Sequence, residues 1–214
     1  MLRDLINKIR YRSRLVKFHQ FMGLLKPTSA SKLLEVGVAS KEYSPFDNFL
    51  IKNYPFRENI TALGIGDLSE FTKNYPDLKT VIYDGKIFPF ADKSFDIAHA
   101  NAVIEHVGPI EAQELFLREI VRVSKRGMVT TPCKYFPIEI HTRVPFLHYF
   151  GKRIFDRFLK MIGKEWATGD YMYLLGRKEL EMLAKKIGLE NYIIIKNRFL
   201  GLTATYSLIW YEKV

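Results

Sequence analysis

The chain of 214 residues holds a single cysteine, Cys133. One thiol excludes an internal disulfide framework and a cysteine-rich zinc site, and makes a reducing, cytoplasmic setting the expected one. Nowhere do eighteen apolar residues run uninterrupted, so no segment is expected to span a bilayer as a helix. The opening residues, M-L-R-D-L-I-N-K-I-R, interrupt every apolar run with a charge and lack the apolar core of a signal peptide. Internal repeats and low-complexity linkers are missing too, which excludes solenoids and repeat arrays.

Acids are nearly absent from one end. Residues 1–32 carry eight cations against one acid, Asp4, a net of +7 within a chain total of +10. Leu2, Leu5, Ile6 and Ile9, then Leu15, Phe18, Met22 and Leu25, recur at helical spacing, which predicts one or two amphipathic helices with a basic outer face. Such a segment either docks its apolar stripe on a core or adsorbs weakly to an anionic membrane surface. Nucleic acid is the poorer partner, because the cations are confined to this segment and are not interleaved with aromatics on a sheet face.

What the chain does have is apolar content, 48%, in a length suited to one α/β domain spanning 1–214. Leu33 to Gly37, Ile60 to Ile65, Thr80 to Tyr83, Phe95 to Ala100 and Met128 to Thr131 read as buried strands. Helices are expected over Ser44 to Asn53, Pro109 to Val123 and Arg177 to Ile187, the last ended by Gly188. Ile193 to Ile195 and Leu202 to Tyr211 read as a closing antiparallel pair. Alternating strands and helices imply a doubly wound sheet that binds ligands at the carboxyl ends of its strands.

The densest run of signals lies between Tyr83 and Pro132: Y-D-G-K-I-F-P-F-A-D-K-S-F-D-I-A-H-A-N-A-V-I-E-H-V, a helix, then R-V-S-K-R-G-M-V-T-T-P. Together with L-L-E-V-G at Leu33 to Gly37, this resembles the core of the class I S-adenosylmethionine-dependent methyltransferases. That family shows an acid and a small residue, L-P-F-x-D-x-S-F-D, L-E-H-V, R-V-L-K-x-G-G and a strand ending in T-P. The resemblance implies a Rossmann-like seven-stranded sheet in the order 3-2-1-4-5-7-6 with strand seven antiparallel, a helical insert after strand five (133–175), and S-adenosylmethionine as cofactor.

It also implies residue roles. Glu35 would help hold the methionine end of the cofactor and Gly37 would let the backbone turn close to it. Ala39 and Lys41 stand where the family has further glycines. Gly64 stands where it has the ribose-binding acid, and Asp67 replaces that acid only if its loop folds back. Asp84 would accept from the adenine amino group, with the Gly85 amide facing the ring; a plain D-G turn is the alternative for both. Asn101 and Ala102 would line the methionine moiety. Phe88, Pro89, Phe90 and Asp96 read as structural.

Methyl transfer from a sulfonium needs an in-line acceptor and the exclusion of water, and a base only if the acceptor must lose a proton. His106 and His141 are the candidate bases, although His106 serves equally well as a helix-terminal hydrogen-bonding group. Glu105 and Glu139 share that ambiguity. No metal is implied. Between Tyr135 and Tyr173, ten of 39 residues are aromatic against 14% chain-wide, which fits a lid over the acceptor or rings that only pack the insert. The expected activity is methyl transfer to a small-molecule or lipid-linked acceptor. A non-catalytic binding protein on the same scaffold and an RNA-associated methyltransferase are the alternatives.

Overall fold

The structure, a computed structural model, describes residues 2–139, 142 and 144–212, with side chains of the N-terminal helix from Asn7 onward. Its strands are β1 (Leu33–Val36), β2 (Ile60–Ile65), β3 (Lys79–Tyr83), β4 (Phe95–Asn101), β5 (Ser124–Pro132), β6 (Tyr192–Phe199) and β7 (Leu202–Trp210). Its helices are α1 (Leu2–Leu25), α2 (Phe49–Asn53), α3 (Ser69–Asn74), α4 (Ile110–Val123), α5 (Lys152–Met161) and α6 (Arg177–Lys186). The seven strands form one sheet in the order β3-β2-β1-β4-β5-β7-β6, with β7 antiparallel, as the family resemblance implied.

The chain divides into two compact units: residues 1–100, 119–128 and 211–214, and residues 101–118 and 129–210. In the first, β1 pairs in parallel with β2 and β4, and β2 with β3. All four residues of β1 are buried, because a central parallel strand is covered on both faces and must be apolar throughout. Glu35 is the exception, and it lies opposite His99 in the register. The N-terminal helix is continuous. Its inner face places Phe21 and Leu25 in the core and sets Phe18 and Tyr11 edge-on to Phe49, at 6.2 and 5.9 Å. Of the apolar stripe predicted from spacing, Phe18 and Leu25 are used in docking, and the side chains of Leu2, Leu5 and Ile6 lie outside the described residues. The helix stops where Lys26 takes φ 45° ahead of Pro27, which cannot continue a helix.

The helix expected over Ser44 to Asn53 is shorter and begins at Phe49. Asn48 adopts φ 52°, ψ 36°, a left-handed conformation open to asparagine, and this separates a turn, with Asp47 accepting from the amides of Tyr43 and Ser44, from the helix proper. One guanidinium fastens the corner after β3: Arg122 donates to Glu119, to Asp92 and to the carbonyls of Phe88 and Phe90.

In the second unit, α4 starts at a Gly108-Pro109 pair, with proline where the missing amide donor is harmless. Helix α6 ends in a left-handed Gly188, whose amide bonds to the Lys185 carbonyl. β6 and β7 form a hairpin through Leu200-Gly201, both with positive φ, as a two-residue loop between twisted strands requires. The insert has its own core of Val144, Phe155, Leu159, Ala167 and Met172, with Phe158 and Tyr171 packed against it.

Candidate active site

In the first unit, the carboxyl ends of β1, β2 and β3 are each followed by a glycine in the left-handed region: Gly37 (φ 80°), Gly66 (φ 68°) and Gly85 (φ 82°). A side chain is strained at such angles, so these turns keep the backbone bare where a ligand would approach. Gly37 is held by its amide, which donates to the Leu63 carbonyl at 2.8 Å. The loop that follows is shaped by Asn48, a residue that spacing did not single out. Its side-chain oxygen accepts from the Ala39 amide (2.9 Å), and its side-chain nitrogen donates to the Ala39 carbonyl (3.0 Å) and to Glu42 Oε1 (2.9 Å). Burial pushes the Glu42 carboxyl up, but Lys52, Tyr75 and Asn48 together hold it below its usual range. The motif position filled by Ala39 is therefore rigidified by side-chain bonds, and Lys41 points to solvent.

Glu35 is 7% exposed and its Oε2 accepts from His99 Nδ1 at 2.6 Å, with the Phe21 ring edge-on to the histidine. One of its two oxygens is thus engaged inside the unit. At Gly64 the missing acid would be crowded by apolar side chains. A Cβ there would lie 3.0 Å from Leu68 Cδ1 and 3.4 Å from Val38 Cγ2, an apolar surrounding that would penalise a carboxylate. Asp67 faces solvent, but both its oxygens hold Ser69, one the amide (2.8 Å) and the other the hydroxyl (3.0 Å), so it fixes the start of α3. Those bonds keep its carboxyl below the usual range.

Asp84 does form the D-G turn. Its Oδ1 accepts from the amides of Lys86 (2.8 Å) and Ile87 (3.2 Å), and these donors, Lys86 foremost, hold the carboxyl below its ordinary value. The turn role and a ligand role are compatible, because Oδ1 alone serves the turn and the residue is exposed. Beside it, Ile65 at the end of β2 is 63% exposed and lies 3.8 Å from where a Gly85 Cβ would be. This apolar ledge next to a carboxylate suits a planar base with an amino group. The sequence signal for it was an isoleucine closing a strand next to glycine.

In the second unit, β4 and β5 are tied together at their carboxyl ends. Thr130 Oγ1 donates to Asn101 Oδ1 (2.8 Å), the Ala102 amide donates to the Thr130 carbonyl (2.9 Å), and Thr131 Oγ1 donates to Glu105 Oε2 (3.0 Å). Ala102 takes φ 59°, a strained angle for alanine, at the point where the chain leaves β4. Glu105 is fully buried and Glu139 is 2% exposed, with Glu139 Oε2 accepting from the Thr142 amide and hydroxyl. Both carboxylates therefore organise the rim.

His106 sits in a short 3-10 turn (Ile104–His106), and its Nδ1 donates to the Tyr171 carbonyl at 2.7 Å. With Nδ1 donating in that bond, the other ring nitrogen, Nε2, lies 4.0 Å from Glu105 Oε1. The Tyr173 amide donates to the Glu105 carbonyl and Gln113 Nε2 to the Ile104 and Tyr173 carbonyls, so the turn is bound to the insert from several sides. Tyr171 and Trp166 continue the cluster, with ring centroids 4.9 and 5.3 Å apart along the series from His106. The Tyr171 phenol is pushed up by burial and by the nearby charges of Glu139 and Glu105, so it stays a hydrogen-bond donor. His141 lies outside the described residues. Among the described residues no group of three or more His, Cys, Asp or Glu side chains is placed to hold a metal ion.

A family model described as a methyltransferase domain matches residues 61–129. A SAM-dependent methyltransferase and possible histamine N-methyltransferase from Thermotoga maritima superimposes with TM-score 0.59 at 16% identity, covering 98% of this chain and 92% of its own. The fold is that of the class I S-adenosylmethionine-dependent methyltransferases. A SAM-dependent methyltransferase from Methanosarcina mazei gives TM-score 0.51 at 14% identity, with 87% and 95% covered. A phosphoethanolamine N-methyltransferase from Haemonchus contortus, solved with phosphomonomethylethanolamine and S-adenosylhomocysteine, gives 0.54 at 12%, with 84% of this chain and 38% of that one covered. No curated protein matches the chain.

Proposed function

We propose that the protein transfers a methyl group from S-adenosylmethionine to a small-molecule or lipid-linked acceptor. The observation that carries this reading is the Asp84-Gly85 turn beside the exposed Ile65 ledge, within a methyltransferase fold and inside the stretch that the family model matches. The residues fit an adenosine group: Asp84 offers an acceptor to the amino group, Gly85 a bare amide, and Ile65 an apolar surface for the ring. Within the same unit, Glu35 and Gly37 are the candidates for the methionine end.

The bound cofactor supplies an activated methyl on a sulfonium. In this reading His106 would take the proton that a neutral amine or hydroxyl acceptor loses, its ring held by the bond to the Tyr171 carbonyl. His141 is the alternative base. Tyr171 presents aromatic surface that would exclude water from the acceptor.

A second reading, a binding protein on this scaffold, is favoured by Gly64, whose apolar surroundings would crowd and desolvate an acid, and by Asp67, whose carboxylate is spent on Ser69. Calorimetry and thermal unfolding with S-adenosylhomocysteine separate the two, since a ligand that binds only the native state raises its melting temperature. Binding is the expected result. Its absence at millimolar ligand would overturn the enzyme reading.

A further inference from the structure

Helix α5 turns Phe155 and Leu159 into the core of the insert. The opposite side of the helix carries Arg153, Arg157 and Lys160, all exposed, beside Ile154 (54% exposed) and Met161 (76%). Two further large apolar side chains flank the helix in sequence and are exposed, Phe150 (66%) before it and Trp166 (55%) after it. Residues 146–166 hold five cations and two acids, a net of +3. Lys152 is paired with Asp156 at 3.2 Å, whereas Arg153, Arg157 and Lys160 form no ion pair among the described residues.

Large apolar side chains and uncompensated cations on one face suit few occupants. A nucleic acid would neutralise the cations and leave the isoleucine, methionine and phenylalanine in water. A second copy packed face to face would bury like charges against one another. An anionic bilayer satisfies both, taking apolar side chains to the acyl boundary while the cations meet lipid phosphates and carboxylates. We propose that the outward face of α5, with Phe150 and Trp166 at its ends, seats the protein on an anionic lipid surface. This surface shares no residue with the basic segment 1–32 and does not depend on methyl transfer.

The chain has two tryptophans, and Trp210 is only 1% exposed, so a change in emission on vesicle binding reports on Trp166. The test mixes the full-length protein with phosphatidylcholine vesicles, with or without phosphatidylserine. Emission should shift to the blue and become shielded from acrylamide with the anionic vesicles alone. Replacing Arg153, Arg157 and Lys160 together by Glu should weaken vesicle affinity at least about tenfold, since each cation near the surface contributes. Met161→Asp should weaken it too. All these positions are exposed, so the melting temperature should hold, and a variant that melts early is replaced by the Arg153→Gln, Arg157→Gln pair. Several outcomes overturn the proposal: no binding to either vesicle, co-sedimentation with Trp166 emission unchanged, or loss of binding on reversing Arg10 and Arg12 while the α5 variants bind normally. Self-association that Met161→Asp abolishes would also overturn it, by assigning the face to a second copy.

Discussion

His99 Nδ1 lies 2.6 Å from Glu35 Oε2 across the β1–β4 pairing, and both residues are over nine-tenths buried. A carboxylate in that position is tolerated because the imidazole answers it, and removing either partner strands the other in an apolar layer. His99→Ala should lower unfolding free energy by about 3–5 kcal/mol. The double replacement Glu35→Leu, His99→Phe should cost less than His99→Ala alone. Urea denaturation of the three proteins checks this, and equal losses in all of them would show that packing rather than pairing is at stake.

Asp84 has two separable tasks. Asp84→Asn keeps an oxygen for the amides of Lys86 and Ile87 but removes the charge, so stability should hold while S-adenosylhomocysteine affinity falls about tenfold or more, the worth of a charge-assisted hydrogen bond of about 1.5–3 kcal/mol. Asp84→Ala should lose affinity and also loosen the turn. Calorimetry together with amide exchange at Lys86 and Ile87 distinguishes them.

Asn48 ties the loop after β1 to the start of α2 through three hydrogen bonds and a left-handed backbone. Asn48→Gly should preserve the backbone angle yet release the Ala39 amide, which becomes faster in hydrogen exchange. Asn48→Ala should be the more destabilising, by about 1–2 kcal/mol over glycine, because alanine strains at that φ. Unchanged Ala39 exchange in both would remove Asn48 as organiser of the loop.

Glu119 accepts from Arg122 and from the Phe88 amide, and Arg122 above all holds its carboxyl below the ordinary value of 4.5. The folded state therefore prefers the ionised form. That contribution is fully present above about pH 4.5 and is lost as pH falls through the depressed folded value. Glu119→Gln should flatten this part of the stability profile, measured by thermal unfolding between mildly acidic and strongly acidic buffers, while lowering stability at neutral pH.

Much of the sheet was legible because buried parallel strands are short apolar runs, and Leu33–Val36 and Ile60–Ile65 are of that kind. Helix α3 escaped, and α5 was implied only as part of a helical insert after strand five, without bounds. α3 has six residues, with Phe71 its sole buried side chain, too short for a period to show. In α5 the stripe of Phe155, Phe158, Leu159 and Ile162 does follow helical spacing, but the aromatic density of the surrounding insert obscures it. At the site, glycines and acids could be placed at strand ends, but their commitments could not. Asp67 serving Ser69, Glu35 serving His99 and the apolar walls around Gly64 are long-range or geometric facts that no local pattern carries. Thr130 and Thr131 were visible only as a strand end, yet they bind Asn101 and Glu105.

Arg122 also bears on the order in which the chain assembles. Its bonds to Phe88, Phe90 and Asp92 span 34, 32 and 30 positions, whereas the Glu35–His99 pair spans 64. The entropy of closing a loop rises with its length, so the segment from Phe88 to Arg122 can close on itself, enclosing β4, before β1 finds its place. Arg122→Ala should then slow refolding in stopped-flow experiments, while His99→Ala should chiefly speed unfolding. On this view the fastening at the corner is a kinetic staple, set early, onto which the N-terminal half of the sheet is later added.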